Sequence, residues 1–143
     1  MQRQPSATDA LCQVDARIVA ELSRVSGSTN LYSRLVALFH TGSADALAQL
    51  TSALEASALP PARSVCHKLK SSAANVGAMA FSRQLALLEQ RCVAGDLHQA
   101  RELLAGLQAA HSGLMTELSR LAVSANGAAL LTTDAEIGDA AGS

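Results

Sequence analysis

The run Ala62 to Ala78 holds the residues whose types and spacing could do chemistry. Wound as a helix at about 100° per residue, it divides into two sides. Ala62, Val65, Cys66, Leu69, Ser72, Ala73 and Val76 fall together, small or apolar, as a core face. His67 stands opposite, with Arg63, Ser64, Lys70, Ser71, Ala74 and Ala78 around it. Both lysines of the chain, Lys68 and Lys70, lie in this run. A lone histidine on a helix is ordinarily a solvated surface residue; this one keeps company that suits a nucleophile. A neutral imidazole has a lone pair on one ring nitrogen while the other carries the proton. If the electrophile is a phosphoryl group, the product gains up to two negative charges and three acceptor oxygens. Lys70, three residues on and about 5–6 Å away between Cβ atoms, can meet those oxygens. The small side chains of Ser71 and Ala74 leave room for a second protein to approach the ring.

The run His67-Lys68-Leu69-Lys70-Ser71-Ser72-Ala73-Ala74-Asn75-Val76-Gly77-Ala78 resembles the signature of histidine-containing phosphotransfer (HPt) domains: a histidine, x-Leu-Lys, a small pair, alanines, then Gly-Ala. The likeness extends from about Val14 to Leu121 and includes the later Leu85, Leu88 and Glu89. Outside the motif it rests on hydrophobic spacing, which many helical bundles share. The resemblance implies that His67 is the phosphoacceptor and Lys70 the group that steadies the phosphoryl. Ser71 stands where glycine is frequent, and Gly77 would end or bend the helix and allow close packing. Glu89 matches a Gln or Glu that faces the histidine from the next helix, implying an acceptor for the Nδ1 proton that leaves Nε2 free. Taken alone, Glu89 reads equally well as a solvated charge. Arg63, Ser64, Lys68, Ser71 and Ala74 would form the docking surface, with Arg63 and Lys68 as rim charges that govern association rate more than affinity.

These residues need a rigid support, and the hydrophobic spacing supplies helices. A flexible leader over 1–10 precedes a first helix from about Val14 to Ser26, with Ile18, Leu22 and Val25 inward and Gly27 as its stop. Ser28 or Thr29 caps a second, to about Thr41, which Gly42 breaks. Ser43 caps a third to about Ser57, on which Leu47, Leu50 and Leu54 recur at helical spacing. Pro60-Pro61 introduces the His67 helix, one of the two suiting its first turn. A fifth runs from Ala78 to Val93 with Phe81, Leu85, Leu88 and Cys92 as its stripe, and Gly95-Asp96 closes it and caps the next. Leu97, Ala100, Leu104, Leu107, His111, Leu114, Leu118 and Leu121 then form an unbroken seam. After Val123 the pattern stops, which predicts a disordered tail or linker over 124–143. The expected fold is all-α: an up-and-down antiparallel four-helix bundle over 11–123, with one or two additional N-terminal helices.

Composition supports this and narrows the function. Of 143 residues, 49% are hydrophobic but only 2% aromatic, an Ala- and Leu-rich balance that favours helix over sheet. A formal net charge of −1 leaves no basic footprint for nucleic acid. Tyr32, Phe39 and Phe81 are too few to form a base-stacking platform. Cys12, Cys66 and Cys92 are scattered and odd in number, which argues against a disulfide framework or a zinc site. His40, His98 and His111 fall in neither Glu-x-x-His nor His-x-x-x-His spacing, so no metal site is expected. No nucleotide cradle is present, so the chain is read as a carrier and not an enzyme with its own ATP site. No run of about 18 apolar residues occurs, so no membrane contact is expected. A cytoplasmic, monomeric protein follows, either free-standing or the cytoplasmic C-terminal part of a membrane sensor kinase.

The expected function is that of a phosphorelay intermediate. His67 would take a phosphoryl group from an aspartyl phosphate on a receiver domain and pass it to another. The partners implied are response-regulator receiver domains and a hybrid sensor kinase. The chain itself would bind no cofactor, the Mg²⁺ being held by the receiver. The alternative from another class is a helical interaction module that binds a receiver or another protein and carries no phosphate. A helical metalloprotein is a distant third.

Overall fold

The computed structural model describes residues 7–26 and 31–142. Among them are six helices: α1 (Ala7–Leu11), α2 (Ala16–Ser26), α3 (Leu31–Glu55), α4 (Leu59–Asn75), α5 (Met79–Ala94) and α6 (Leu97–Gly142). α3 packs on α4 and α6, and α5 packs on the same two, closing a ring of four. The links 56–58, 76–78 and 95–96 are so short that successive helices run antiparallel. α1 and α2 are the additional N-terminal helices, lying against α6, α5 and α3.

The core is built from the predicted stripes. Leu50, Leu54, Phe81, Leu85, Leu88, Leu107, Leu114 and Leu118 are fully buried. Phe39 and Phe81 meet edge to face with ring centroids 6.3 Å apart. Ala62, Ala73, Ala78, Ala100 and Ala110 are buried among them and let the helices approach closely. No helix among the described residues is long and apolar enough to cross a membrane.

Four local expectations are corrected. Gly42 does not break a helix: the predicted second and third helices are one, α3. Tyr32, Val36, Phe39, Ser43, Leu47, Leu50 and Leu54 are buried along it at spacings of three and four, so one seam runs straight through the glycine. Glycine costs a helix interior only ~1 kcal/mol, less than the burial of that seam supplies. Ser43 is accordingly no cap but a buried residue whose Oγ lies 2.8 Å from His111 Nε2. Second, both Pro60 and Pro61 sit in the first turn of α4, where N–H groups have no acceptor within the helix. Third, residues 7–10 of the expected leader belong to α1; residues 1–6, the Gly27 stop and the Ser28 or Thr29 cap lie outside the described residues. Fourth, α6 continues past Val123 to Gly142, where a disordered tail was expected over 124–143. Alanine-rich composition without proline sustains helix there after the apolar seam has ended.

The link after α5 has the predicted construction. Gly95 adopts φ +77°, the Asp96 N–H donates to the Arg91 carbonyl at 2.9 Å, and Asp96 Oδ1 accepts from Gln99 N–H at 3.1 Å to cap α6.

Candidate functional site

α4 buries Ala62, Cys66, Leu69 and Ala73, and this fixes its rotation so that His67 faces outward. The imidazole is 68% exposed. Its Nδ1 lies 3.0 Å from Glu89 Oε2, brought across by α5, on which Leu85, Leu88 and Cys92 anchor the neighbouring face in the core. Lys70, one turn after His67, donates from Nζ to Glu89 Oε1 at 2.7 Å. One carboxylate therefore holds both groups, one on each oxygen. Its side chain is only 15% exposed and that of Lys70 30%.

The electrostatics decide the tautomer. The Lys70 ammonium, with a smaller contribution from the His67 ring, holds the Glu89 carboxyl below the usual carboxylate range despite partial burial. An ionised carboxylate can only accept hydrogen bonds. The proton in the contact with His67 must then belong to Nδ1, so in the neutral ring it is Nε2, on the exposed side, that carries the lone pair. The arrangement is that of a held nitrogen nucleophile with a cation within reach.

Two shallow recesses flank the ring. One, of about 320 Å³, is lined by Pro60, Arg63, Ser64, His67, Lys68 and Glu89. The other, of about 390 Å³, is lined by Arg63, His67, Lys70, Glu89, Gln90 and Val93. A larger cleft of about 480 Å³ between α3 and α4 reaches Ser64 and Lys68 but does not include His67. The His67 ring thus stands between the two shallower recesses and outside the larger cleft. Ser71, exposed, and Ala74, half-buried, continue the α4 face one and two turns beyond His67.

Gly77 lies ten residues from His67, at the far end of α4. It has φ +88°, and a Cβ there would come within 3.1 Å of Val14 Cγ1 and 3.2 Å of the Asp15 carbonyl oxygen. Its own carbonyl accepts from Asp15 N–H at 2.8 Å. Tyr32 Oη donates to the neighbouring Val76 carbonyl at 2.9 Å. The turn after α4 is thus braced by the α1–α2 link and by α3. Sequence reasoning missed this brace and also Ser82, whose Oγ donates to the Lys70 carbonyl at 2.8 Å. Two signals could have found them. Tyr32 is the lone tyrosine, set in an apolar stripe, and Ser82 stands seven residues before Glu89 and so shares its side of α5.

The other histidines lie elsewhere. His111 contacts Ser43, and burial with the nearby His40 pushes its imidazole below the ordinary histidine range. His98 Nε2 lies 3.1 Å from Glu102 on the surface of α6. Among the described residues no three His, Cys, Asp or Glu side chains are grouped to share a metal ion.

Comparison with curated proteins and with solved structures finds no match. The family model of the Hpt domain matches residues 34–123, from the first turns of α3 to the end of the α6 seam, a span that contains His67, Lys70, Ser82 and Glu89. By that match the chain belongs to the Hpt domain family, helical-bundle phosphocarriers of two-component signalling that have no ATP site of their own.

Proposed function

We propose that this chain is a phosphorelay intermediate with His67 as the phosphoacceptor. The observation that carries the reading is the Nδ1 contact to Glu89 on an otherwise exposed ring, which leaves Nε2 as the outward nucleophile. In the forward step the Nε2 lone pair attacks phosphorus of an aspartyl phosphate on a receiver domain. The Nε2–P bond forms as the P–O bond breaks, and the aspartate leaves as a carboxylate. No proton needs to move, because Nδ1–H stays on Glu89 while the ring gains positive character. The reverse step on another receiver passes the group on. Positioning is the main requirement for such in-line transfer.

Lys70 is assigned to the phosphoryl oxygens, exchanging its bond to Glu89 for one to the incoming group. Among the described residues lining the two recesses, Glu89 is the sole carboxylate, and it already serves two donors. A hard cation would find no uncommitted carboxylate there, which supports placing the Mg²⁺ of the reaction on the receiver. Arg63, Ser64, Lys68, Ser71 and Ala74 form the docking face for receivers, including that of a hybrid sensor kinase, and the carrier acts as a monomer in the cytoplasm.

The test is transfer of labelled phosphoryl from a phosphorylated receiver. The wild-type chain should take up acid-labile, base-stable label, and His67→Gln should take up none while keeping its helical circular dichroism. Label on the folded His67→Gln variant would remove His67 from the role.

A further inference from the structure

α4 and α5 are joined at a second polar point. Ser82 Oγ donates to the Lys70 carbonyl at 2.8 Å, and Ser82 is 9% exposed. The Lys70 carbonyl lies inside α4, where the helix supplies its own donor four residues on. Ser82 therefore rescues no orphan; its effect is on where α5 sits. Seven residues separate Ser82 from Glu89, about 20° short of two full turns and roughly 10 Å along the axis. One side of α5 is thus fixed to the same part of α4 at both ends: Ser82 on the backbone of Lys70, Glu89 on the side chains of His67 and Lys70.

The apolar contact between these helices cannot set that register as sharply. Burial of Phe81, Leu85, Leu88 and Cys92 is adhesive but not directional. The α4 face includes Ala62, Cys66 and Ala73, small residues that raise low ridges against an axial slide. A hydrogen bond is far less forgiving, since a donor–acceptor distance of 3.0 Å stretched by about 0.6 Å is no longer one.

We infer that Ser82 is a positioning residue for the phosphoacceptor: its bond to the Lys70 carbonyl sets the register of α5 on α4, and so holds the Glu89 carboxylate against His67 Nδ1. The inference rests on the reading of His67 as acceptor, but its readout does not depend on phosphotransfer. Nitrogen-15 NMR of the His67 ring in the full chain reports which nitrogen carries the proton. Wild type should be dominated by the Nδ1–H form. In Ser82→Ala the Nε2–H form should rise about fivefold, the effect expected for one neutral hydrogen bond. Single-turnover transfer from a phosphorylated receiver should fall with it. Ser82→Thr keeps the hydroxyl and should keep the wild-type tautomer. The control is Gln84→Ala on the same helix, which removes the 3.1 Å bond from Gln84 Nε2 to the Leu103 carbonyl and so loosens α5 from α6 instead. It should lower the melting temperature and leave the His67 ring unchanged. An unchanged tautomer in Ser82→Ala, or an equal shift in Gln84→Ala, would overturn the assignment. If the wild-type chain accepts no phosphoryl group, the functional reading fails, while the tautomer comparison still decides the part played by Ser82.

Discussion

Replacing Glu89 by glutamine separates the two tasks given to its carboxylate. The amide keeps one acceptor oxygen, which can still take the Nδ1 proton of His67. Its other end is a donor and meets the Lys70 ammonium, which now donates from 2.7 Å to Glu89 Oε1. That bond is lost and two donors face each other. A charge-assisted hydrogen bond is worth ~1.5–3 kcal/mol, but Lys70 is 30% exposed and can turn to water, so the loss in stability should be about 1 kcal/mol. The kinetic effect should be larger. As Nε2 bonds to phosphorus the ring becomes cationic beside a carboxylate 3.0 Å from Nδ1. Two unit charges about 4 Å apart attract by roughly 1 kcal/mol in water and roughly 4 kcal/mol at an effective dielectric constant near 20. A ring two-thirds exposed beside a mostly buried carboxylate lies toward the lower figure. About 1.5 kcal/mol corresponds to a roughly tenfold slower transfer. Glu89→Ala should fall further, because nothing then keeps the proton on Nδ1 and the Nε2–H form has no lone pair at Nε2, its outward nitrogen. The assay is single-turnover label transfer from a phosphorylated receiver at saturating carrier, with circular dichroism as the folding control. Wild-type rates in both folded variants would refute the tautomer argument.

Three further outcomes follow from geometry elsewhere. Gly77→Ala places a Cβ at φ +88° within 3.1 Å of Val14 Cγ1; at ~2 kcal/mol it should lower the melting temperature by about 5–10 °C without abolishing label uptake at His67, which a scan and a transfer assay together check. Ser57, at φ +55° just after α3, is the described non-glycine residue with a positive φ, so Ser57→Gly should stabilise the chain by about 0.5–1 kcal/mol in urea titration, and destabilisation would contradict the backbone assignment. His111 is held below its ordinary value of 6.5, chiefly by burial, then by His40. The unfolded chain then binds the proton more readily, so stability is full above about pH 6.5 and declines as pH falls toward the folded value; His111→Gln should flatten urea midpoints measured across that window.

The motif made the central site legible because its logic is local. His67 and Lys70 share a helix, and the angular arithmetic that buries Cys66 and Leu69 puts the ring outside without knowledge of any other element. What α5 adds is not local. Lys70 was read as waiting for phosphoryl oxygens, and its resting partner, Glu89, comes from nineteen residues away. Gly42 misled for a related reason: a single glycine is a weak stop, and the seam from Tyr32 to Leu54 that overrides it shows only when both sides of the glycine are read as one stripe. The extent of α6 was misjudged because an end of apolar periodicity was taken for an end of helix, and an alanine-rich segment needs no seam to keep helical backbone. The brace around Gly77 draws on Val14 and Asp15 from the α1–α2 link and Tyr32 from α3, and no window along the chain holds them together with the glycine.

The resting bond between Lys70 and Glu89 bears on reversibility. A lysine left in water would gain its first strong partner only when the phosphoryl arrived, and the loaded state would be deepened by that whole interaction. In the proposed transfer the ammonium would leave one anion for another, so the loaded carrier would gain only the difference between them. Glu89 in turn would give up a cation on one oxygen while the ring beside its other oxygen became one, so its charge would stay compensated throughout. An exchange of this kind keeps the loaded and unloaded states close in free energy, which a relay needs if the group is to leave for the next receiver as readily as it came. The same reasoning gives Lys70→Ala a definite signature: the equilibrium between receiver and carrier should move by less than the rate of approach to it. A variant that shifted the equilibrium strongly and left the rate alone would show that the lysine serves the loaded state and not the transfer.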